Sequence, residues 1–165
     1  MARMLLALLL TFALWNCTPP EPESPAPEIS AEAPSAFAVQ MLEEVNALRA
    51  SGCRCGSRQM PPAPPLAWNA QLEQAARRHA NDMYNNDFFD HDGSDGSSMS
   101  GRISATGYPW RSIGENIAWG YPDIASVVQG WKDSPGHCEN MMSKDYTEMG
   151  AARKGVYWVM DLGRR

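Results

Sequence analysis

The chain has 165 residues and a net charge of −5, a length that suits one domain around one hydrophobic core. Residues 1–34 hold one of the 14 basic residues and four of the 19 acidic residues, so 13 basic and 15 acidic residues remain in the rest of the chain. Because nucleic-acid binding requires a clustered basic surface, this near balance argues against a nucleic-acid partner.

The first 17 residues have the pattern of an export signal. Arg3 precedes an apolar run from Met4 to Trp15, which at about a dozen residues is too short to span a bilayer but suits a signal peptide. Cys17 follows and is the predicted lipidation site of a bacterial lipoprotein, the alternative being cleavage and release. We therefore expect an extracytoplasmic protein, either secreted or held at the envelope membrane only through this lipid.

Residues 18–34 are rich in Pro, Glu, Ser and Ala and offer almost nothing to bury. This composition predicts a disordered linker. The folded domain is therefore expected at residues 35–165.

Three helices are predicted from apolar spacing of three and four residues. The first follows Ser35 as its N-cap and ends at Gly52, the second follows Asn69, and the third begins at Asp123 and stops before Pro135, because the residue before a proline disfavours helix. The periodic positions are Phe37, Met41, Val45 and Leu48 in the first, Leu72, Ala76, His79 and Met83 in the second, and Ile124, Val127, Val128 and Trp131 in the third.

The strand signals come later in the chain. The segments MGAAR and VYWVMDL flank Lys154-Gly155, a pair typical of a hairpin turn, and IGENIAWG is a short apolar segment bounded by glycines. Helices early and strands late favour an α+β fold with an antiparallel sheet.

Seven short motifs occur in order between residues 37 and 163. They are VNALR, PPLAWN, HANDM, FFDH, GYPWRSIGENIA, GWKDSPGH and YW. None is specific alone, but in this order they resemble the bacterial branch of the CAP superfamily, the SCP-like extracellular proteins. The resemblance implies the CAP fold, a three-layer α/β/α sandwich with a small antiparallel sheet.

The resemblance also implies a cleft. CAP domains share a cleft with two histidines and two glutamates, which in some members binds a divalent metal. His91 and Glu115 match the first histidine and first glutamate, whereas the second glutamate and second histidine fall on Ser134 and Tyr157. We expect His137 to reach the same cleft, so His91, Glu115 and His137 are the candidate site and a weak candidate set for a divalent metal such as zinc, which normally needs three or more protein ligands.

Three cysteines lie in the expected domain. An exported domain meets an oxidising compartment, so Cys138 is predicted to form a disulfide rather than to act as a nucleophile. Cys55 is the favoured partner because it adjoins the loop leading into the segment that begins at Pro65, and Cys53 is the alternative. Closing a loop of more than 80 residues stabilises the fold by roughly 4 kcal/mol in the chain-entropy estimate.

The leading interpretation is a monomeric cell-envelope binding module whose His/Glu cleft holds a lipid, another small envelope ligand or a divalent metal. The alternative is a peptidase-like hydrolase, metal-assisted or not, with Glu115 as base and a histidine stabilising developing charge. A third is an interaction domain whose cleft binds nothing. The chain has no GxSxG or HExxH motif, and the fold does not decide the chemistry.

Overall fold

The structure is a computed structural model that describes residues 35–165. The predicted export signal, its lipidation residue Cys17 and the predicted linker at 18–34 lie outside the described residues. Within the described range, none of the helices combines the length and apolar character needed to cross a membrane.

Five helices and six strands are present in the described range. The helices are α1 (Ala36–Ser51), α2 (Ala70–Asn86), α3 (Met99–Ala105), α4 (Ile124–Asp133) and α5 (Pro135–Met142). The strands are β1 (Cys53–Cys55), β2 (Arg58–Met60), β3 (Ala67–Trp68), β4 (Ser112–Trp119), β5 (Glu148–Lys154) and β6 (Tyr157–Arg164). The three helices predicted from periodicity are α1, α2 and α4, whereas α3 and α5 are too short to show a periodic pattern.

The predicted helices begin at the expected residues. The side chains of Ser35, Asn69 and Asp123 each accept a hydrogen bond from a backbone N–H of the first turn, which satisfies donors that have no partner within the helix. Helix α4 ends before Ser134, as expected from the following proline, but the chain turns there and continues as α5 from Pro135.

The main sheet has four strands in the order β3-β5-β6-β4, so β4 is an edge strand. Strand β6 pairs antiparallel with both β4 and β5. The turn predicted at Lys154–Gly155 joins β5 to β6. Two additions were not predicted: β3 pairs with β5 in parallel over two residue pairs, and β1 and β2 form a separate small hairpin.

The main sheet is the middle of three layers. Successive residues of a strand point to opposite faces of the sheet. On one face of β6, Trp158, Met160 and Leu162 pack against residues of α1, α4 and α5. On the other face, Tyr157 and Val159 pack against α2. The expected α+β three-layer sandwich is therefore confirmed.

Helix α2 lies very close to β5 at Gly150. A Cβ atom at Gly150 would lie 2.0 Å from the backbone nitrogen of Glu73 and 2.5 Å from the carbonyl carbon of Leu72. Because backbone atoms at these distances cannot move aside like a flexible side chain, this glycine sets the separation between the α2 layer and the sheet.

Arg49 connects α1 to the end of α5 and to the segment before β3. Its buried guanidinium donates hydrogen bonds to the carbonyl oxygens of Pro64 (2.7 Å), Met141 (2.6 Å) and Ser143 (2.8 Å). Charge-assisted bonds of this kind are stronger than neutral ones. They hold the end of α5 against α1 and the segment before β3.

A disulfide attaches the β1–β2 hairpin to α5. It joins Cys55 to Cys138, 83 residues apart in sequence, and Cys53 remains a buried thiol. The structure therefore has the pairing that the sequence analysis favours, and Cys138 is not a free nucleophile.

The first prediction concerns the α2–β5 contact. Gly150→Ala should lower the free energy of unfolding by about 3 kcal/mol, the upper part of the range for overpacking, because the added methyl overlaps backbone atoms. The matched control is Gly136→Ala in α5, where an added Cβ meets no atom within 4 Å. This substitution should be neutral or stabilising by up to about 1 kcal/mol.

Urea denaturation of both variants measures the difference. Equal stability of the two variants would contradict the proposed close contact between α2 and β5.

Candidate functional site

A cavity of about 450 Å³ lies at the sheet edge formed by β4. Its lining comes from the segment after α2, from β4, from the α4 region and from α5. The lining residues are Phe89, Asp90, His91, Ile117, Ala118, Tyr121, Gly130, Trp131, Ser134 and His137. The cavity size is typical of small-ligand sites.

The two histidines reach this cavity from opposite layers of the sandwich. His91 lies in the segment that follows α2, and His137 lies in α5. Because β4 is the edge strand, both layers can contribute residues beside it. His137 and His91 therefore line one cavity because both layers meet beside β4. Ser134, the position matched to the family's second glutamate, lines the same cavity.

Glu115 is buried beneath His91. Its side chain is 1% exposed, whereas that of His91 is 55% exposed. The Nδ1 atom of His91 lies 2.7 Å from Oε1 of Glu115. Glu115 lines a second cavity that His91 also borders, together with Ser98, Met99 and Tyr146, and it does not line the main cavity. Its role is therefore to hold the imidazole rather than to contact a ligand in the main cavity.

Arg102 completes this arrangement and was not predicted from the sequence. Its side chain is 2% exposed, and its Nη2 atom donates to Oε2 of Glu115 at 2.8 Å. The same guanidinium donates to the carbonyl oxygens of His91 (2.9 Å) and Ser97 (2.8 Å). Arg102 therefore neutralises the buried carboxylate and also fixes the backbone of His91.

The ionised state of Glu115 depends on its two partners. Burial on its own would raise the pKa of the Glu115 carboxyl, but the hydrogen bond with His91 and the charge of Arg102 outweigh burial, and the pKa is lowered. The hydrogen bond to Glu115 in turn raises the pKa of His91, against the effect of its partial burial. Glu115 is therefore a carboxylate at neutral pH, and His91 is more readily protonated than an ordinary histidine.

Two further ionisable groups lie near Glu115 in the interior. Asp161 is opposite Glu115 in the β4–β6 pairing, and burial, followed by the negative charge of Glu115, raises its pKa well above the ordinary value. His79 is fully buried, its Nε2 is 2.8 Å from the carbonyl oxygen of Asp90, and burial lowers its pKa. Burial therefore favours the neutral form of both groups, and Arg102 is the cation that pairs with Glu115.

On the opposite face of β4, two asparagines fix the backbone around His137. Asn116 donates to the carbonyl oxygen of His137 at 3.0 Å, and Asn140 donates to Oδ1 of Asn116 at 3.0 Å. Burial, with a smaller effect of the charge of His91, lowers the pKa of His137. The cavity therefore combines one histidine that favours the cationic form with one that favours the neutral form.

The expected metal does not fit these residues. A metal at His91, Glu115 and His137 needs donor atoms that converge with free lone pairs. Both oxygens of Glu115 are already engaged, by His91 and by the guanidinium of Arg102, so this carboxylate offers no free donor and the two histidines alone are fewer than three ligands. Within residues 35–165, the only three His, Cys, Asp or Glu donor atoms within 4.8 Å of one another belong to Cys53, Cys55 and Cys138, two of which form the disulfide.

Tyr157, the position matched to the second histidine of the family, does not line the cavity. It lies in a separate hollow with Asp87, Phe88, Phe89 and Trp119. Phe89 borders both this hollow and the main cavity.

Comparisons with known proteins bear on the family and the fold of this chain. The profile of the CAP family, described as the cysteine-rich secretory protein family, matches residues 42–160. The chain is 30% identical over 100 residues to the uncharacterized membrane protein YlbC of Bacillus subtilis, a match that covers 61% of this chain and 29% of that protein.

Two solved structures are similar. An extracellular protein with an SCP domain from Bacillus anthracis is 26% identical with a TM-score of 0.70, over 78% of this chain and 40% of that one. An outer surface protein of Borrelia burgdorferi is 22% identical with a TM-score of 0.66, over 77% and 91% of the two chains. The chain thus spans less than half the length of either Bacillus protein, and the Borrelia similarity shows the fold alone.

The second prediction concerns His91. NMR titration of the full chain should give His91 a pKa above the ordinary value and His137 a pKa below it. In Glu115→Gln, a neutral amide replaces the carboxylate that stabilises the imidazolium, so the pKa of His91 should fall towards that of an exposed histidine.

The sign of the stability effect follows from linkage. Because the folded pKa of His91 is raised, its contribution to stability is complete below the unfolded pKa and is lost as pH rises through the folded pKa. Replacement of Glu115 should remove this pH dependence, while His137 serves as the internal control. An unchanged His91 titration in the variant would contradict the inferred pairing.

Proposed function

The chain belongs to the CAP family of cysteine-rich secretory proteins, and on this premise we propose that its domain binds a small amphiphile outside the cytoplasm. The observation that carries the proposal is the cavity of about 450 Å³ in which His91 and His137 share a wall with apolar side chains. A site of mostly apolar lining with a few fixed polar groups is typical of small-ligand recognition.

The apolar part of the cavity would receive the apolar body of the ligand. Phe89, Ile117, Ala118, Tyr121 and Trp131 provide these surfaces. Trp131 is itself fixed, because its indole nitrogen donates to the carbonyl oxygen of Ile117 at 3.1 Å. A rigid apolar wall retains an apolar ligand without the entropy loss of ordering side chains on binding.

The polar part would select the head group. The Nδ1 of His91 faces Glu115, which leaves Nε2 as the nitrogen available to a ligand. When protonated, His91 donates from Nε2, and Arg102 offsets the charge of Glu115 below it. Asp90 also lines the cavity, so a multiply charged anion is disfavoured. The expected head is therefore a hydroxyl, a carbonyl or a single carboxylate that accepts a hydrogen bond.

A hydrolase is the second candidate, and one observation favours it. Glu115 orients His91 in the way that a carboxylate orients a catalytic base, and the hydroxyl-bearing Ser134 lines the same cavity. However, within the described residues Ser134 forms no side-chain hydrogen bond with His91, although a nucleophile normally contacts its base. Because Glu115 is committed to His91 and Arg102, it is also a poor general base. Binding is therefore the better supported function.

Export and attachment through Cys17 belong to the same proposal. They rest on the sequence pattern of residues 1–17 and on membership of a family described as secretory. A lipid anchor would place the cavity at the surface of the envelope, and we expect the protein to act there as a monomer.

The third prediction tests binding with two probes, a fluorescent fatty acid and a fluorescent sterol. His91→Gln and His137→Gln should each weaken the better-bound probe about tenfold, the effect of losing one good polar contact of about 1.4 kcal/mol. Asp92→Asn is the matched control, because Asp92 is the next residue in the same segment but does not line this cavity. The control should bind like the unmodified protein.

Because the proposed head-group contact depends on protonated His91, the affinity for a carboxylate ligand should depend on pH. If the fatty acid is the better ligand, its affinity should fall as pH rises through the raised pKa of His91, whereas sterol affinity should change little. Failure of both histidine substitutions to alter either affinity would reject the cavity as the binding site. Ser134-dependent turnover of a p-nitrophenyl ester by the same preparations would favour the hydrolase.

A further inference from the structure

Three sulfur atoms lie together between the β1–β2 hairpin and α5. The Sγ atom of Cys53 is 3.5 Å from that of Cys138 and 3.8 Å from that of Cys55, and Cys55 and Cys138 are joined as a disulfide. All three residues are buried. A thiol thus contacts both sulfurs of a disulfide inside the protein.

The local sequence explains this arrangement. In the segment Cys53-Arg54-Cys55, alternate residues of β1 point to the same side, so both cysteines face α5 while Arg54 is exposed. The spacing of residues along a strand would by itself place the sulfurs of Cys53 and Cys55 at different positions along β1. Cys55 is nevertheless bonded to Cys138, and the Sγ atom of Cys53 lies 3.5 Å from that of Cys138, so both side chains of β1 converge on this cysteine.

We propose that Cys53 is an exchange thiol and that Cys138 forms its disulfide with either cysteine of β1. In the exchange, the Cys53 thiolate attacks Sγ of Cys138, a Cys53–Cys138 bond forms and the Cys55–Cys138 bond breaks. Cys55 leaves as a thiolate and takes up the proton that Cys53 released. The number of thiols and disulfides is unchanged, so no oxidant or reductant takes part.

The geometry determines how the exchange proceeds. Cys53 lies beside the disulfide rather than on its axis, since it is about as close to one sulfur as to the other. Attack along the S–S axis therefore requires rotation of one cysteine side chain. Burial raises the pKa of the Cys53 thiol, and the charge of Lys132 partly opposes this effect. Most molecules thus hold Cys53 as a thiol at neutral pH, and the exchange is slow.

Burial also prevents thiols in solution from competing with Cys53 for the disulfide. Cys138 is fully buried and Cys55 is 1% exposed, so a dissolved thiol cannot reach the disulfide in the folded protein. The exchange is therefore internal. Because Cys138 directly follows His137 in α5, a change of partner alters the anchorage of the helix that carries a cavity histidine.

Tryptic mapping of the full chain tests the proposal, because cleavage after Arg54 separates Cys53 from Cys55. The two cysteines fall in peptides 50–54 and 55–58. The folded protein is incubated without added thiol, quenched with acid, labelled with a maleimide and digested. With time, peptide 50–54 should lose label and peptide 55–58 should gain the same amount, as Cys53–Cys138 appears. Mixing isotopically heavy and light protein should give no bridge between chains that involves Cys53, Cys55 or Cys138.

Two variants provide the controls. Cys55→Ala should form the Cys53–Cys138 bridge, and Cys53→Ala should keep Cys55–Cys138 as its single pairing. A persistent thiol at Cys138 in folded Cys55→Ala would overturn the proposal. If that variant does not fold, the time course of the unmodified protein decides, and a label that stays wholly on peptide 50–54 rejects the exchange.

Discussion

The buried pairing of Arg102 with Glu115 is the interaction on which the site depends. A carboxylate removed from water is strongly unfavourable unless charges and hydrogen bonds compensate it. Here one oxygen accepts from Arg102 and the other is bonded to His91. Arg102 also holds the backbone carbonyl of His91. The ring and the main chain of this histidine are therefore fixed by the same two residues, and its Nε2 is left for a ligand.

The position of β4 at the sheet edge explains how a three-layer fold creates the cavity. Residues 115 and 116 are neighbours in sequence, but alternation sends their side chains to opposite faces. Glu115 therefore acts on His91 on the α2 side, whereas Asn116 holds the carbonyl oxygen of His137 on the α5 side. One edge strand therefore positions both histidines. Arg49 and the disulfide at Cys138 keep α5 in place behind them.

Much of the fold could be predicted because its signals are local. Helices α1, α2 and α4 are long enough to show their periodicity, and the β5–β6 hairpin has a recognisable turn. Helices α3 and α5, of seven and eight residues, give no such signal. The resemblance to a family, rather than spacing, identified His91 and Glu115. Arg102 was missed because it lies in a Gly/Ser-rich stretch without a pattern. Asp161 offered one signal, an acid within an apolar strand, but only strand register shows that it faces Glu115.

The cysteines show a different limit. A Cys-x-Cys segment in a strand presents both sulfurs to the same partner, so sequence spacing cannot choose between two bridges. The structure selects Cys55 and keeps Cys53 within 3.8 Å of both bridging sulfurs. The two candidate partners of Cys138 that the sequence leaves open are thus both close to Cys138 in the structure.

The central claim is that Glu115 is an ionised, buried carboxylate that serves His91. Carbon-13 NMR of glutamate-labelled full chain tests it directly, with the Glu115 carboxyl signal assigned by its loss in Glu115→Gln. At neutral pH the account predicts the chemical shift of a carboxylate, which should persist until the pH falls below the ordinary pKa of glutamate. The shift of a protonated carboxyl group at neutral pH would contradict it, because a neutral Glu115 could not stabilise the imidazolium.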